Sequence, residues 1–531
     1  MKKTKKLIAL LLTGILSLSL LAGCAGKPKP GKEAGENTPA PTGTEANEPA
    51  LTYNGQDVSE PVELVMYYIG DKTEDEDLVL AEVNKILKDK INATLVLKNM
   101  SLSDYSTKYA LTIAGGENID LIYTSTWAFY QSEASKGAFA EITDQVLADY
   151  MPQHKAGQSE ASWGQAKIGD KIYFVPCNMA NVSANAILIR GDLREKYGLE
   201  PLKSLADLEA YYAAVAADPD SGVSFAYNAS QNNDTSKNIE LYAENDWVRI
   251  EGTLVNYISY KYSDQVSAED LFWIYGTEEY LNYAKLMKKW ADEGFWSRSA
   301  IANATDVKEA YLNGTSASFS QNLGTVGAVA SEVEKNHPEW KPEIYDLNPE
   351  ANRFFAAYTG DGVAVLANSQ NQARAFMALD LLKFDKDLYY LVRHGIEGVH
   401  YKVVSDGIWA PGDDMSKNPF GNGFSWGLKN NIYEMNREDT FADQVNIADQ
   451  WKLKAVEGPT AAFSFNDANV KNELASLQSV YTQYAPLLDL GLVEDVEKTL
   501  AEFNKQAEAA GLQKIMDEVK VQVAAYLESV K

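Results

Sequence analysis

Residues 61–99 read PVELVMYYIGDKTEDEDLVLAEVNKILKDKINATLVLKN, and this stretch decides the fold. PVELVMYYIG is a bounded apolar run with the length of a buried strand. EDEDLVLAEVNKILKDK sets Leu80, Val83 and Leu87 at helical spacing, with acids in the first turn, where the helix dipole favours them. ATLVLKN is a second strand. Further along, a second helix stops at Gly115-Gly116, and IDLIYTS (119–125) is a third strand. This β-α-β-α-β alternation predicts a largely parallel sheet with helices on both faces. Ligands of such sheets sit beyond the carboxyl ends of the strands. Tyr67, Tyr68 and the Ser125-Thr126-Trp127 corner are therefore expected at a mouth.

Towards the C-terminus, after GDKIYFVPCNMANVSANAILIR (169–190), long helices surround shorter strands. TEEYLNYAKLMKKWADEGFW (277–296) is amphipathic, with Tyr280, Ala284, Met287 and Ala291 on one stripe and a stop near Gly294. GTSASFSQN (314–322) reads as a short strand whose exit residues, Gln321 and Asn322, face a cleft. DGVAVLANSQNQARAFMALDLLKF (361–384) is a strand–turn–helix unit. The last forty residues form two helices broken at Gly511, with Leu512, Ile515, Val519 and Val523 on one buried stripe.

Towards the N-terminus, Lys2, Lys3, Lys5 and Lys6 precede an apolar run from Leu7 to Ala22. That run is short for a membrane span and right for a signal peptide. Leu21-Ala22-Gly23-Cys24 resembles the lipobox of bacterial lipoproteins, which implies diacylation of Cys24 and a membrane anchor without a transmembrane helix. Residues 25–60 are rich in Pro, Gly, Glu and Thr, with almost no large apolar side chain, and are expected to be a disordered tether. As a random coil its ends lie about 35 Å apart. With Cys24 lipidated, Cys177 has no intramolecular disulfide partner, and it is expected to pack as a small apolar group.

The net charge of −27, or −31 without the four leader lysines, argues against nucleic acid as a partner. Gly423-Phe424-Ser425-Trp426-Gly427 fits the nucleophile-elbow pattern of α/β-hydrolases. Loop chemistry precedes it, however, and all four histidines (His154, His337, His394, His400) lie upstream, against the hydrolase order. The match is read as an accident. The histidine spacings, the acidic cluster at 71–77 and the DPDSG turn at 218–222 do not make a metal site, and no cofactor is expected.

What remains is an excess of aromatics, 30 tyrosines and 10 tryptophans, several of them in loop-like settings. Sugar rings offer apolar C–H faces to flat aromatics and hydroxyl edges to amide and carboxylate forks. The candidate ligand set is Tyr67, Tyr68, Trp127, Trp163, Asn178, Trp273, Gln321, Asn322, Asp361, Trp409 and Trp426, with an oligosaccharide as the ligand. Trp247, Trp290, Trp296, Trp340 and Trp451 are assigned to structure.

AKIGDKIYFVP, AILIRGDLREKYGLEPLKSLADLEAYYAAV, VKEAYLNGTSASFS and RHGIEGVHYKV follow one another in an order that resembles the family-1 extracellular solute-binding lipoproteins of ABC importers. The stretch from FSFNDANVKN to the C-terminus resembles the C-terminal domain of the LplA-type subgroup of Gram-positive bacteria. The resemblance implies a two-lobed, type II periplasmic-binding-protein-like α/β fold with a hinge and a helical C-terminal extension. Crossing segments are placed near 176–186 and 350–360. The implied lobes are 61–180 with 359–405 and 181–358 with 406–460, followed by a helical domain at 461–531. The implied function is capture of an oligosaccharide by lobe closure and delivery to membrane permease subunits, as a non-enzymatic monomer anchored through Cys24 on the outer face of the membrane. A surface glycoside hydrolase or lyase and a polysaccharide-holding adhesin are the competing readings. The calcium loop of some relatives is reduced here to DPDSG, so no metal is carried over.

Overall fold

A computed structural model describes residues 51–101, 104–182, 184–230, 237–250, 257–263, 265–412, 424–461, 463 and 465–530. The signal peptide, Cys24 and most of the stretch ahead of Phe424 lie outside these residues. The principal elements begin with β1 (Val62–Ile69), α1 (Glu76–Ile91), β2 (Ala93–Met100), α2 (Tyr105–Ala114), β3 (Leu121–Thr124), β4 (Val175–Pro176), β5 (Asn185–Arg190) and α3 (Leu205–Ala217). They continue with α4 (Glu278–Asp292), β6 (Ser318–Asn322), α5 (Leu323–Asn336), β7 (Pro342–Tyr345), β8 (Gly362–Val365), α6 (Gln372–Phe384) and α7 (Lys386–His394). Last come α8 (Ala442–Lys454), α9 (Lys471–Asp489), α10 (Val496–Ala509) and α11 (Leu512–Ser529).

The first sheet has the order β2-β1-β3-β8-β4. β1 runs parallel to β2, from Val62 opposite Ala93 to Ile69 opposite Met100, and parallel to β3. β8 is antiparallel to both β3 and β4, because the chain re-enters the sheet at the carboxyl ends of β1 and β3. Val79, Val83, Leu87 and Ile91 of α1 are buried at i, i+4 spacing against one face, together with α6. Tyr109, Tyr130 and Phe174 fill the other face.

From β4 the chain passes to a second sheet, β6-β5-β7, which is antiparallel throughout. The outgoing and returning segments lie side by side: Val182 bridges Phe355, and Ala356 N–H donates to Asn181 O at 2.7 Å. Arg353–Phe354 also pairs in parallel with Ala455–Val456. On one face of this sheet Ile187 and Ile189 pack into a core built with α3, α4 and the C-terminal helices α9–α11. The other face is covered by α5 and α8. Gly511 separates α10 from α11 at φ 101°, the left-handed region that glycine tolerates.

Two expected boundaries shift. Residues 51–58, expected in the tether, fold onto the first lobe: Thr52–Tyr53 pairs with Gln56–Asp57, Tyr53 O–H donates to Asp380, and Val58 is buried in the core. Asn54 adds bonds from its amide to Ala148 O at 2.7 Å and Asp149 O at 3.0 Å. Residues 424–430, placed with the second lobe, pack on the first. Phe424 and Leu428 sit in its core, and Gly427 leaves no room for a Cβ, which would lie 2.5 Å from Gly362 O. The chain joins the second lobe only with α8, through Ile447 and Trp451.

Candidate functional site

The carboxyl ends of β1 and β3 and the entry to β8 meet in a cluster of rings. Tyr68 and Tyr123 lie 6.3 Å apart, edge to face, and Trp426 stands 6.4 Å from the first and 6.3 Å from the second. Trp127 is 5.8 Å from Tyr123 and meets Tyr105 edge to face at 5.3 Å. Edge-to-face packing of this kind holds each ring in place without filling the outer face of the last one. That last ring is Trp127, which is 41% exposed.

The corner that carries Trp127 is rigid. Ala128 N–H donates to Ser125 Oγ at 2.9 Å, Thr124 O–H to Ala128 O at 2.9 Å, and Tyr130 N–H to Ser125 O at 3.0 Å. Phe129 adopts φ 64°, a left-handed conformation that costs an aromatic residue about 1–3 kcal/mol. Stacking of its ring on Tyr109 at 5.4 Å offsets part of that cost. The indole N–H of Trp127 donates to Gly360 O at 2.8 Å, and Thr126 N–H to Thr359 O at 3.0 Å, so the returning segment clamps the corner.

Polar groups flank the rings. Tyr123 O–H donates to Asp361 Oδ1, while Lys429 Nζ donates to Asp361 Oδ2 at 2.8 Å. Burial, reinforced by the Asp361 carboxylate, pushes the Tyr68 and Tyr123 hydroxyls well above the ordinary tyrosine range, so both remain protonated. The cluster can bind and orient a ligand, but it presents no activated nucleophile. Ser425, the serine of the elbow-like string, is buried ahead of a 3-10 turn, Trp426–Leu428, rather than exposed between strand and helix.

The structure thus brings together Tyr68, Trp127, Asp361 and Trp426 of the expected set. Tyr67, one residue from Tyr68 and on the opposite side of the strand, donates from its hydroxyl to Glu117 at 2.7 Å under Lys98. Gln321 and Asn322 stand at the end of β6 opposite Ala186 and Asn185, where the outgoing segment enters the second sheet. Asn322 Oδ1 caps α5 by accepting from Thr325 N–H at 3.0 Å.

Of the other expected residues, Trp273 and Asn178 are buried and committed within the fold, while Trp163 and Trp409 are partly exposed. Trp273 is buried, and its indole N–H donates to Asn504 at 3.1 Å, which ties β-structure to α10. Asn178 is buried and spends its amide on Gly157 O and Asn430. Trp163 packs half-buried on the first-lobe core, 6.3 Å from His154. Trp409 lies on a short hairpin, between His394 at 4.9 Å and Arg437 at 5.5 Å. Sequence reasoning missed Tyr123, Tyr105 and Lys429. The strand-end rule that selected Tyr68 applies equally to Tyr123, the penultimate residue of β3. Lys429 carries no local signal.

Among the described residues no group of three or more His, Cys, Asp or Glu side chains is placed to hold a metal ion. In the DPDSG turn Asp218 Oδ2 accepts from Lys196 Nζ at 2.6 Å and from Tyr197 O–H at 2.9 Å.

Comparison with known proteins extends these observations. A family model described as a domain of unknown function, DUF3502, matches residues 459–528, the region of the three C-terminal helices. A carbohydrate ABC transporter substrate-binding protein of Streptococcus pneumoniae serotype 4 is 22% identical over 474 residues, covering 88% of this chain and 91% of the relative. The crystal structure of the N-glycan transport solute binding protein NgtS from Streptococcus pneumoniae superposes with a TM-score of 0.71 at 21% identity, over 89% of this chain and 100% of that one. The alginate-binding protein AlgQ2, solved without calcium ion, gives 0.62 at 17% identity, over 87% and 98%. The chain therefore has the two-lobed α/β fold of solute-binding proteins, with a helical part at its C-terminus.

Proposed function

We propose that this protein is the extracellular ligand-capturing component of an ABC importer and that its ligand is an oligosaccharide. The observation that carries the reading is the half-exposed indole of Trp127, held on a strained, hydrogen-bonded corner at the carboxyl ends of a parallel sheet. A ring presented this way offers a flat apolar face at little entropic cost, which suits a pyranose. Tyr68, Tyr123 and Trp426 support it, Asp361 supplies a polar edge, and Gln321 and Asn322, at the end of β6 beside the outgoing segment, are the amides the second lobe would contribute. Similarity to a carbohydrate-binding ABC component over most of the chain supports the same reading.

The working cycle needs no bond chemistry. Ligand touching both lobes favours the closed form by its differential contacts. Micromolar affinity, about −8 kcal/mol, is within reach of a few stacked rings and hydrogen bonds. The closed form would dock on permease subunits, with Cys24 lipidated on the outer membrane face and the protein acting as a monomer of the LplA-type subgroup. Titration calorimetry against short glycans, including mannosyl–N-acetylglucosamine chains, tests the reading, together with small-angle scattering. Binding with a smaller radius of gyration is expected. New reducing ends during incubation would favour a hydrolase, and binding without compaction would favour an adhesin.

A further inference from the structure

The charges around the ring cluster are matched among themselves. Lys429 Nζ is held by Asp361 Oδ2 at 2.8 Å, and the other oxygen of that carboxylate accepts from Tyr123. The charged groups that act on the Tyr68 hydroxyl are Asp361, Glu76 and Arg393. Arg393 forks onto Glu434, with Nη2 donating to Oε1 at 2.7 Å and Nε to Oε2 at 3.3 Å. Glu76 is buried, bonded to Asn99 at 3.1 Å, with no arginine or lysine within ion-pair distance among the described residues. Lys98, beneath Tyr67, is held by Glu117 at 3.2 Å. Each of these cations already has a carboxylate, and the carboxylates outnumber them. On the second lobe, the end of the sheet nearest the crossing segments presents neutral amides: Gln321, Asn322 and Asn185, whose buried Nδ2 has no hydrogen-bond partner.

An anionic ligand entering such a site loses its hydration and, among the described residues around the rings, meets no cation without a carboxylate partner. A hydroxyl, by contrast, donates and accepts, and pairs equally well with amides, tyrosines and an already neutralised carboxylate. We propose that the site selects an uncharged sugar chain and discriminates against glycans bearing uronate, sulfate or sialic acid. This rests on the oligosaccharide reading above and narrows it.

The test is calorimetry on the full folded chain with two probes of equal length, a neutral mannosyl–N-acetylglucosamine oligosaccharide and an oligomannuronate. The neutral probe is expected to bind, and the uronate to bind about 100-fold more weakly or worse, since like-charge juxtaposition is strongly unfavourable. Asp361→Asn retains an acceptor for Tyr123 and frees Lys429, so the gap should narrow about tenfold or more. Should that variant not fold, salt dependence on the wild-type protein decides. Uronate affinity should rise between about 0.05 and 0.5 M salt, because screening relieves like-charge repulsion, while neutral-probe affinity stays flat. Uronate affinity that falls with salt overturns the charge inference. Uronate bound as tightly as the neutral chain overturns the charge inference and leaves the oligosaccharide reading standing. Binding of neither probe overturns both.

Discussion

Trp127 shows what one residue can and cannot announce. Its neighbours Ser125 and Thr126 mark a turn rather than an apolar period, so the exposed setting was legible locally. The reason it stays exposed is not local: Phe129 at φ 64° and the bond from the indole to Gly360, more than two hundred residues away, lock the corner. Trp127→Ala should therefore weaken glycan binding about 10–100-fold and, since it also removes the bond to Gly360 and the contacts with Tyr105 and Tyr123, lower the thermal midpoint by a few degrees. An unchanged binding isotherm would remove this ring from the site. Trp273 teaches the opposite lesson. It stands in DLFWIYG, between apolar neighbours, and its ring faces α10, a partner from the far end of the chain.

Elements were the most legible level, because their ends are marked by local chemistry. Thr277 caps α4 by accepting from Tyr280 N–H, and Ser204 caps α3 from Asp207 N–H. The stripe Tyr280, Ala284, Met287, Ala291 is buried as its spacing predicts, although Tyr283 and Trp290 widen it. What the stripe faces was not legible. The turn after α9 packs against α4 at Gly491, whose φ is +64° and whose added Cβ would lie 2.2 Å from Met287 O. Asp489, two residues earlier, accepts from Tyr280 O–H and Lys237 Nζ, both at 2.7 Å. Gly491→Ala combines backbone strain with a clash against main chain. It is expected to destabilise the protein by about 2–4 kcal/mol in urea unfolding. A loss below 1 kcal/mol would mean that this turn relaxes freely away from α4.

At the scale of the molecule, three buried bases link stability to pH. Burial holds His154 and His394 down to about 4. The unfolded chain takes up these protons near the ordinary value of 6.5, so stability should fall as pH drops from 6.5 towards 4. Burial likewise lowers Lys383, under the start of the outgoing segment, to about 7 from 10.5. Between those values the unfolded chain holds a proton that the folded chain has released, so stability rises with pH. Thermal midpoints should climb from pH 4 to 6.5 and again above pH 7. From about pH 9 the buried tyrosines, whose hydroxyls ionise first in the unfolded chain, reverse the slope. Lys383→Met should flatten only the upper limb. A flat wild-type profile above pH 7 would place the ammonium in contact with water.

By itself the sequence determined the first β-α-β-α-β half, the limits of α4, the break at Gly511 and the loop setting of Trp127. These depend on periodicity, caps and turn residues that act within a few positions. Only the tertiary structure decided that Tyr123, Trp426, Asp361 and Lys429 converge beside Trp127, that residues 51–58 and 424–430 join the first lobe, and that Trp273 and Asn178 are structural. The reason is physical. A side chain's exposure depends on what packs over it, and here the covering residues come from segments up to about three hundred positions away, a distance over which no local pattern carries information.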